Sequence, residues 1–205
     1  SAASDVYKRQ EITMKFEKIS FEAFRKDIKK FYDDAMSEEE IKASYDRIQL
    51  PKRSTKYAAG YDFVTPIYAY INGAEPTMVP TGIKIDLNPE NFLQIVQRSS
   101  STKYGYFLAN SVGIIDKDYY NNESNEGDII LALKTYPKVH SPKKYEYDED
   151  YKILSVRATD PTIDGITVMI KPGNKIAQGI ILSYYTVEEE DVKETRKGGF
   201  GSTGN

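Results

Sequence analysis

Two hydrophobic rhythms divide the chain at Pro51. Before it, Phe21, Phe24, Ile28, Phe31, Tyr32, Ala35 and Met36 recur mostly three or four residues apart, with Lys and Asp between them. That period predicts an amphipathic helix over 20–36, and Ser20 stands where an N-cap belongs. A second helix is predicted from Ser37. Ser37-Glu-Glu-Glu40 has the form of a capping box, Ile41, Tyr45 and Ile48 form an apolar stripe, and Pro51 stops it. Together they predict a helical hairpin over 14–50, an element suited to packing or oligomerisation.

Beyond Pro51 the rhythm shortens. Runs rich in Ile, Val, Tyr and Thr alternate with Gly, Pro, Asn and Asp. Strands are predicted at 61–70, 82–87, 92–98, 128–133, 152–158, 165–170 and 177–185. Many short strands with frequent turn signals predict an all-β sandwich or barrel. The stretch 136–151 is polar, charged and tyrosine-rich, which predicts a long loop or an inserted hairpin.

Composition narrows the chemistry. The 205-residue chain has no cysteine and one histidine, His140. Thiolate nucleophiles, disulfides and Cys-based zinc sites are excluded. A general base is then expected to be a carboxylate, and a metal to be a hard, oxygen-bound ion such as Mg²⁺. The net charge of −3 argues against a broad basic surface for nucleic acid. No apolar run approaches the ~20 residues that span a bilayer. Residues 1–13 lack the apolar region of a signal peptide, and Met14 offers a start, so 1–13 are expected to lie outside the fold of a soluble, cytoplasmic protein.

Five segments carry candidate chemistry. Ala58-Ala-Gly-Tyr-Asp-Phe63 places the carboxylate of Asp62 just after a glycine turn, where it can meet a metal or a sugar hydroxyl. Gln97-Arg-Ser-Ser100 ends an apolar strand with a guanidinium, Arg98, and two hydroxyls, Ser99 and Ser100, a set suited to phosphate. In Leu108–Tyr120, Asn110 offers both a donor and an acceptor to a base edge. Asp116 follows two buried-looking isoleucines and can orient and deprotonate a water, and Tyr119 can pack on a sugar. Lys171–Ile180 makes a Pro-Gly turn into a strand, with Lys175 and Gln178 available to a ligand. The tail, Arg196–Asn205, surrounds Phe200 with glycines. Its backbone N–H groups, with Ser202 and Thr203, suit phosphate oxygens, and its ring suits a planar base. Each segment alone is also an ordinary turn, loop or loose terminus.

In this order, the five segments resemble the five motifs of the trimeric all-β dUTPases, from about Pro51 to Gly204. Gly198-Gly-Phe-Gly-Ser-Thr-Gly204, Gly113-Ile-Ile-Asp-Lys-Asp-Tyr119 and Ala59-Gly-Tyr-Asp62 are close to the family forms. The resemblance implies a mainly β fold, a distorted barrel or jelly roll of the dUTPase type with the helical hairpin added. It divides the chain into a tail at 1–13, the helical extension at 14–50, a β domain at 51–192 with an insertion at 136–164, and a nucleotide lid at 193–205. It implies hydrolysis of dUTP to dUMP and pyrophosphate with Mg²⁺ on the triphosphate. Asp116 matches the residue that activates water, and Tyr119 the ring beneath the deoxyribose that leaves no room for a ribose 2′-hydroxyl. Asn110 matches the uracil reader, and Asp62 the carboxylate that reaches the metal through water. Arg98, Ser99, Ser100, Lys175, Gln178, Arg196, Gly201, Ser202 and Thr203 match substrate contacts, and Phe200 the aromatic over the uracil. A homotrimer with sites shared between subunits is implied, and 14–50 and 136–164 are candidate surfaces for a regulatory protein.

The chain departs from the family pattern in places. Gln97 stands where proline is usual, Lys175 where arginine is usual, and Arg196 is one residue closer to the glycines. Two other functions compete: a dCTP deaminase of the same fold, for which no base-activating glutamate is found, and a nucleotide-responsive regulatory binding protein.

Overall fold

The computed structural model describes residues 14–33, 35–73, 75–135, 151–155 and 166–187. The chain opens with a short strand, β1 (Lys15–Lys18), before the helices α1 (Phe21–Tyr32) and α2 (Glu38–Asp46). The two predicted caps form. The Ser20 hydroxyl accepts the N–H of Ala23 at 3.2 Å, and Ser37 and Glu40 close a full capping box. Both helices end earlier than their apolar stripes. α1 stops at Tyr32 because Asp33 turns to φ 46° and gives its N–H to Lys29. α2 stops at Asp46, although Ile48 beyond it remains buried. Arg25 and Lys29 of α1 both pair with Glu38 at the start of α2, at 2.7 and 2.5 Å.

The β region follows as β2 (Lys52–Arg53), β3 (Tyr61–Val64), β4 (Ala69–Ile71), β5 (Thr77–Pro80), β6 (Ile83–Asp86) and β7 (Asn91–Val96). A short helix α3 (Ser101–Tyr104) leads to β8 (Tyr106–Leu108) and β9 (Gly113–Ile115), and a 3₁₀ turn spans Lys117–Tyr119. Then come β10 (Ile130–Thr135), β11 (Tyr151–Ser155), β12 (Ile166–Ile170) and β13 (Lys175–Ser183). Among the described residues all strand pairings are antiparallel. The largest sheet runs β2-β3-β13-β7-β9, and three smaller ones are β5-β10-β8, β11-β12-β4 and β1-β6. This mostly β arrangement is consistent with the jelly roll of the dUTPases.

The predicted strand 61–70 is two strands in different sheets. Pro66 supplies no N–H, and the Thr65 hydroxyl turns the chain by bonding Ile67 O at 2.8 Å. Five short strands, β1, β2, β5, β8 and β9, carry too few residues to show a period. Of the predicted strand 152–158, only 152–155 falls in the described residues, and the insertion 136–164 lies almost wholly outside them.

The helical hairpin is not merely appended. β1 pairs with β6, Lys15 opposite Asp86 through Lys18 opposite Ile83. Ile19, Phe24, Ile28 and Ile41 belong to the same buried cluster as Phe63, Leu93, Ile95 and Leu131. Each such side chain contributes about 1.5–3 kcal/mol on leaving water. The seam is tight at Gly82 (φ +70°), where an added Cβ would sit 2.3 Å from Ile48 Cδ1.

Candidate functional site

The register of the five-stranded sheet sets Lys52, Asp62, Gln178 and Val96 in one row across β2, β3, β13 and β7. Asp62 is the charged centre of that row and is 8% exposed. Arg98 Nε donates to its Oδ1 at 3.0 Å. Its Oδ2 accepts the Ser54 hydroxyl and lies 2.7 Å from Lys175 Nζ. Lys175 also donates to Ser54 Oγ at 2.7 Å. Burial works to raise the Asp62 pKa, but Lys175, Ser54 and Arg98 outweigh it and hold the carboxyl below its usual range.

Arg98 is itself braced. Its Nη1 donates to Ser100 Oγ at 3.0 Å, and its carbonyl accepts the N–H and the hydroxyl of Ser101 at 3.1 and 2.7 Å. Ser99 is exposed on the same turn. Gln178 donates to Gln97 O at 3.4 Å, and its carbonyl lies 2.7 Å from where a Cβ on Gly60 would stand. Thus Asp62, Arg98, Ser100, Lys175 and Gln178, from three of the five segments, meet on one end of the sheet. Ser54 belongs with them. Nothing in its polar, turn-like surroundings, Arg53-Ser-Thr-Lys56, singled it out, because its role comes from pairing β2 with β3.

The third segment lies elsewhere. Asn110 is exposed in the β8–β9 turn, where its carbonyl accepts the N–H of Val112 at 2.6 Å. Asp116 follows β9 in extended conformation and is partly buried. The two isoleucines before it are not both buried: Ile114 is 47% exposed, and Ile115 packs against the core. Tyr119 is buried. Its hydroxyl donates to Asp128 O at 2.8 Å and accepts from Asn125 Nδ2 at 3.1 Å. Asp116 directly follows the Leu93–Ile115 pair near the start of β7, whereas Arg98 lies two residues past Val96 at its other end. Leu93 and Val96 are about 10 Å apart at about 3.3 Å per residue, and Asp116 and Arg98 leave the sheet beyond opposite ends of that span. Arg196, Phe200, Gly201, Ser202 and Thr203 lie outside the described residues, as does His140.

Among the described residues, no group of three or more histidines or carboxylates is gathered to hold a metal. Mg²⁺ commonly keeps several waters and takes substrate phosphates. Asp62 fits that pattern: with three donors on its two oxygens, it has room for a water but no protein cage around it. The arrangement suits an anionic phosphate chain, with two cations held ready on one carboxylate.

The dUTPase family model matches residues 46–127. The chain is similar to the deoxyuridine 5′-triphosphate nucleotidohydrolase of Lactococcus lactis, at 34% identity over 160 residues, covering 77% of this chain and 89% of the relative. The Rickettsia felis protein of the same name is 34% identical over 166 residues, covering 76% and 88%. Among solved structures, the dUTPase of Streptococcus mutans superposes with a TM-score of 0.54 at 28% identity, covering 84% of this chain and 98% of that one. The dUTPase from phage phi11 of Staphylococcus aureus shares the fold at TM-score 0.53 and 18% identity, covering 89% and 97%. With more than two thirds of a 34%-identical relative covered, the chain belongs to the dUTPase family.

Proposed function

We propose that this chain hydrolyses dUTP to dUMP and pyrophosphate, with Asp116 as the base that activates water. The observation that supports the phosphate end of this reading is the Asp62 cluster, which brings Arg98 and Lys175 together on one carboxylate. Asp116 takes a proton from water as its oxygen bonds the α-phosphorus, and the bond from that phosphorus to the bridging oxygen breaks to release pyrophosphate. Arg98, Lys175 and, in the tail, Arg196 take up charge on the phosphates. Mg²⁺, bound by the triphosphate and reached by Asp62 through water, would neutralise further charge. Asn110 reads the uracil edge, where a cytosine would leave buried polar groups unpaired. Tyr119 lies beneath the deoxyribose, Gln178 supports the Arg98 turn, and Ser99 and Ser100 add donors. Phe200 covers the base while Gly201, Ser202 and Thr203 close on the phosphates as a lid.

The separation of Asp116 from Arg98 supports a homotrimer with shared sites. The span of β7 between them, about 10 Å from Leu93 to Val96 alone, exceeds the few bonds between the α- and γ-phosphorus atoms. Asp116 of one subunit and the Asp62 cluster of another are therefore assigned to one nucleotide.

The test is pyrophosphate release from each dNTP with and without Mg²⁺, with ammonia followed alongside. Selective pyrophosphate release from dUTP is expected, and ammonia release from dCTP would overturn the reading. Deleting residues 196–205 is expected to leave an oligomer with the same number of subunits and greatly reduced turnover. Full activity without the tail contradicts the lid.

A further inference from the structure

We propose that helix α1 positions Tyr119 by gripping the loop at 121–128, so that the N-terminal hairpin sets the preference for deoxyribose over ribose. This rests on the placement of Tyr119 beneath the sugar. Three groups on α1 or its cap hold the loop. Ser20 gives its N–H and its hydroxyl to the Glu126 carboxylate at 2.9 and 2.6 Å. Lys26 Nζ donates to Ser124 O at 3.0 Å. Asp27 meets Asp128 in the interior, 3% and 0% exposed.

The acid pair makes its contact specific. The buried Oδ2 atoms of Asp27 and Asp128 find no other hydrogen-bond partner. A proton on one lets it donate to the other. Burial pushes both groups above the usual carboxylate range, and their proximity adds to the rise at Asp128. Lys30, Lys26 and Asn125 face Asp27, and the N–H groups of Gly82 and Ile83 face Asp128.

The loop in turn holds Tyr119 at both ends. Asn122 Nδ2 donates to its carbonyl at 2.9 Å, while Asn125 and Asp128 hold its hydroxyl. Gly127 (φ +88°) packs so close that a Cβ there would sit 2.7 Å from Tyr119 O. A tyrosine held at its backbone carbonyl and at its hydroxyl makes an unyielding floor, and a 2′-hydroxyl is excluded only if the floor cannot retreat.

Two variants loosen the grip outside the catalytic groups. Glu126→Asn suits the positive φ of that position and is too short to reach Ser20. Lys26→Met removes one surface hydrogen bond and keeps the test available if the first variant does not fold. Steady-state kcat/KM is measured for dUTP and for UTP, with circular dichroism and oligomer mass as controls. The expected result is a fall in the dUTP-over-UTP ratio, by up to about 10²-fold, the cost of misplacing a positioning contact by about 1 Å. Tyr119→Ala is run in parallel. If it collapses the ratio while the folded loop variants keep the wild-type value, the helix clamp is overturned. If Tyr119→Ala itself leaves the ratio unchanged, the placement of Tyr119 fails, and the clamp with it.

Discussion

Asp62 concentrates the residue-scale chemistry, because one carboxylate organises two cations and a hydroxyl. Its depressed pKa means that the pairs are intact above the ordinary carboxylate value of 3.8 and are lost as pH falls through the lower folded value. Lys175→Met removes the strongest opponent of burial, so the Asp62 pKa is expected to rise, and KM for dUTP with it. Carboxyl NMR titration and steady-state kinetics measure the two effects, and an unmoved Asp62 titration would contradict the pairing. At Asp116 the expectation is different. Asp116→Asn should lower kcat by about 10²–10⁴-fold, the usual contribution of a positioned base, while binding of a non-hydrolysable dUTP analogue persists in calorimetry. Wild-type turnover in that variant would remove Asp116 from its role.

At the scale of elements, β13 and α1 carry the consequences. β13 lies between β3 and β7, and Gly179 at its centre has no space for a side chain. An added Cβ would meet Leu93 Cδ1 at 2.8 Å and Phe63 Cε2 at 2.9 Å. Gly179→Ala is expected to destabilise the fold by about 1–3 kcal/mol, as overpacking does, and a thermal melt no lower than wild type would refute it. α1 carries a pH effect of opposite sign to that of Asp62. The raised pKa values of Asp27 and Asp128 give stability that is full below 3.8 and is lost as pH rises through the folded values. Asp27→Asn removes one ionisation and its like-charge partner. Its melting temperature relative to wild type is therefore expected to climb as pH rises above 3.8 and through the raised folded values. A constant difference would show that the pair does not titrate there.

For the whole molecule, the decisive feature is that Arg98 and Asp116 leave β7 and its neighbour β9 at opposite ends. If each site draws on two subunits, oligomers mixed from Asp116→Asn and Arg98→Ala chains contain some sites with both residues intact. Mixing and reassembling two nearly inactive proteins is then expected to restore part of the activity, and solution mass should match a trimer. No recovery from verified mixed oligomers would place the whole site within one chain. Among the described residues, no helix is long and apolar enough to cross a membrane.

Features that depend on neighbours along the chain are legible in the residue types. The caps at Ser20 and Ser37 bond to groups three residues away, so their residue types announce them. The five ordered segments likewise declared the family through local composition. Tertiary structure decided what depends on distant partners. Tyr61–Tyr70 looked continuous, yet Thr65 and Pro66 send its halves to different sheets. Ser54 became part of the site only when β2 paired with β3. The hairpin became part of the core because β1 pairs with β6 and Gly82 admits Ile48. Cross-strand register and burial are long-range agreements among segments, and no local period encodes them.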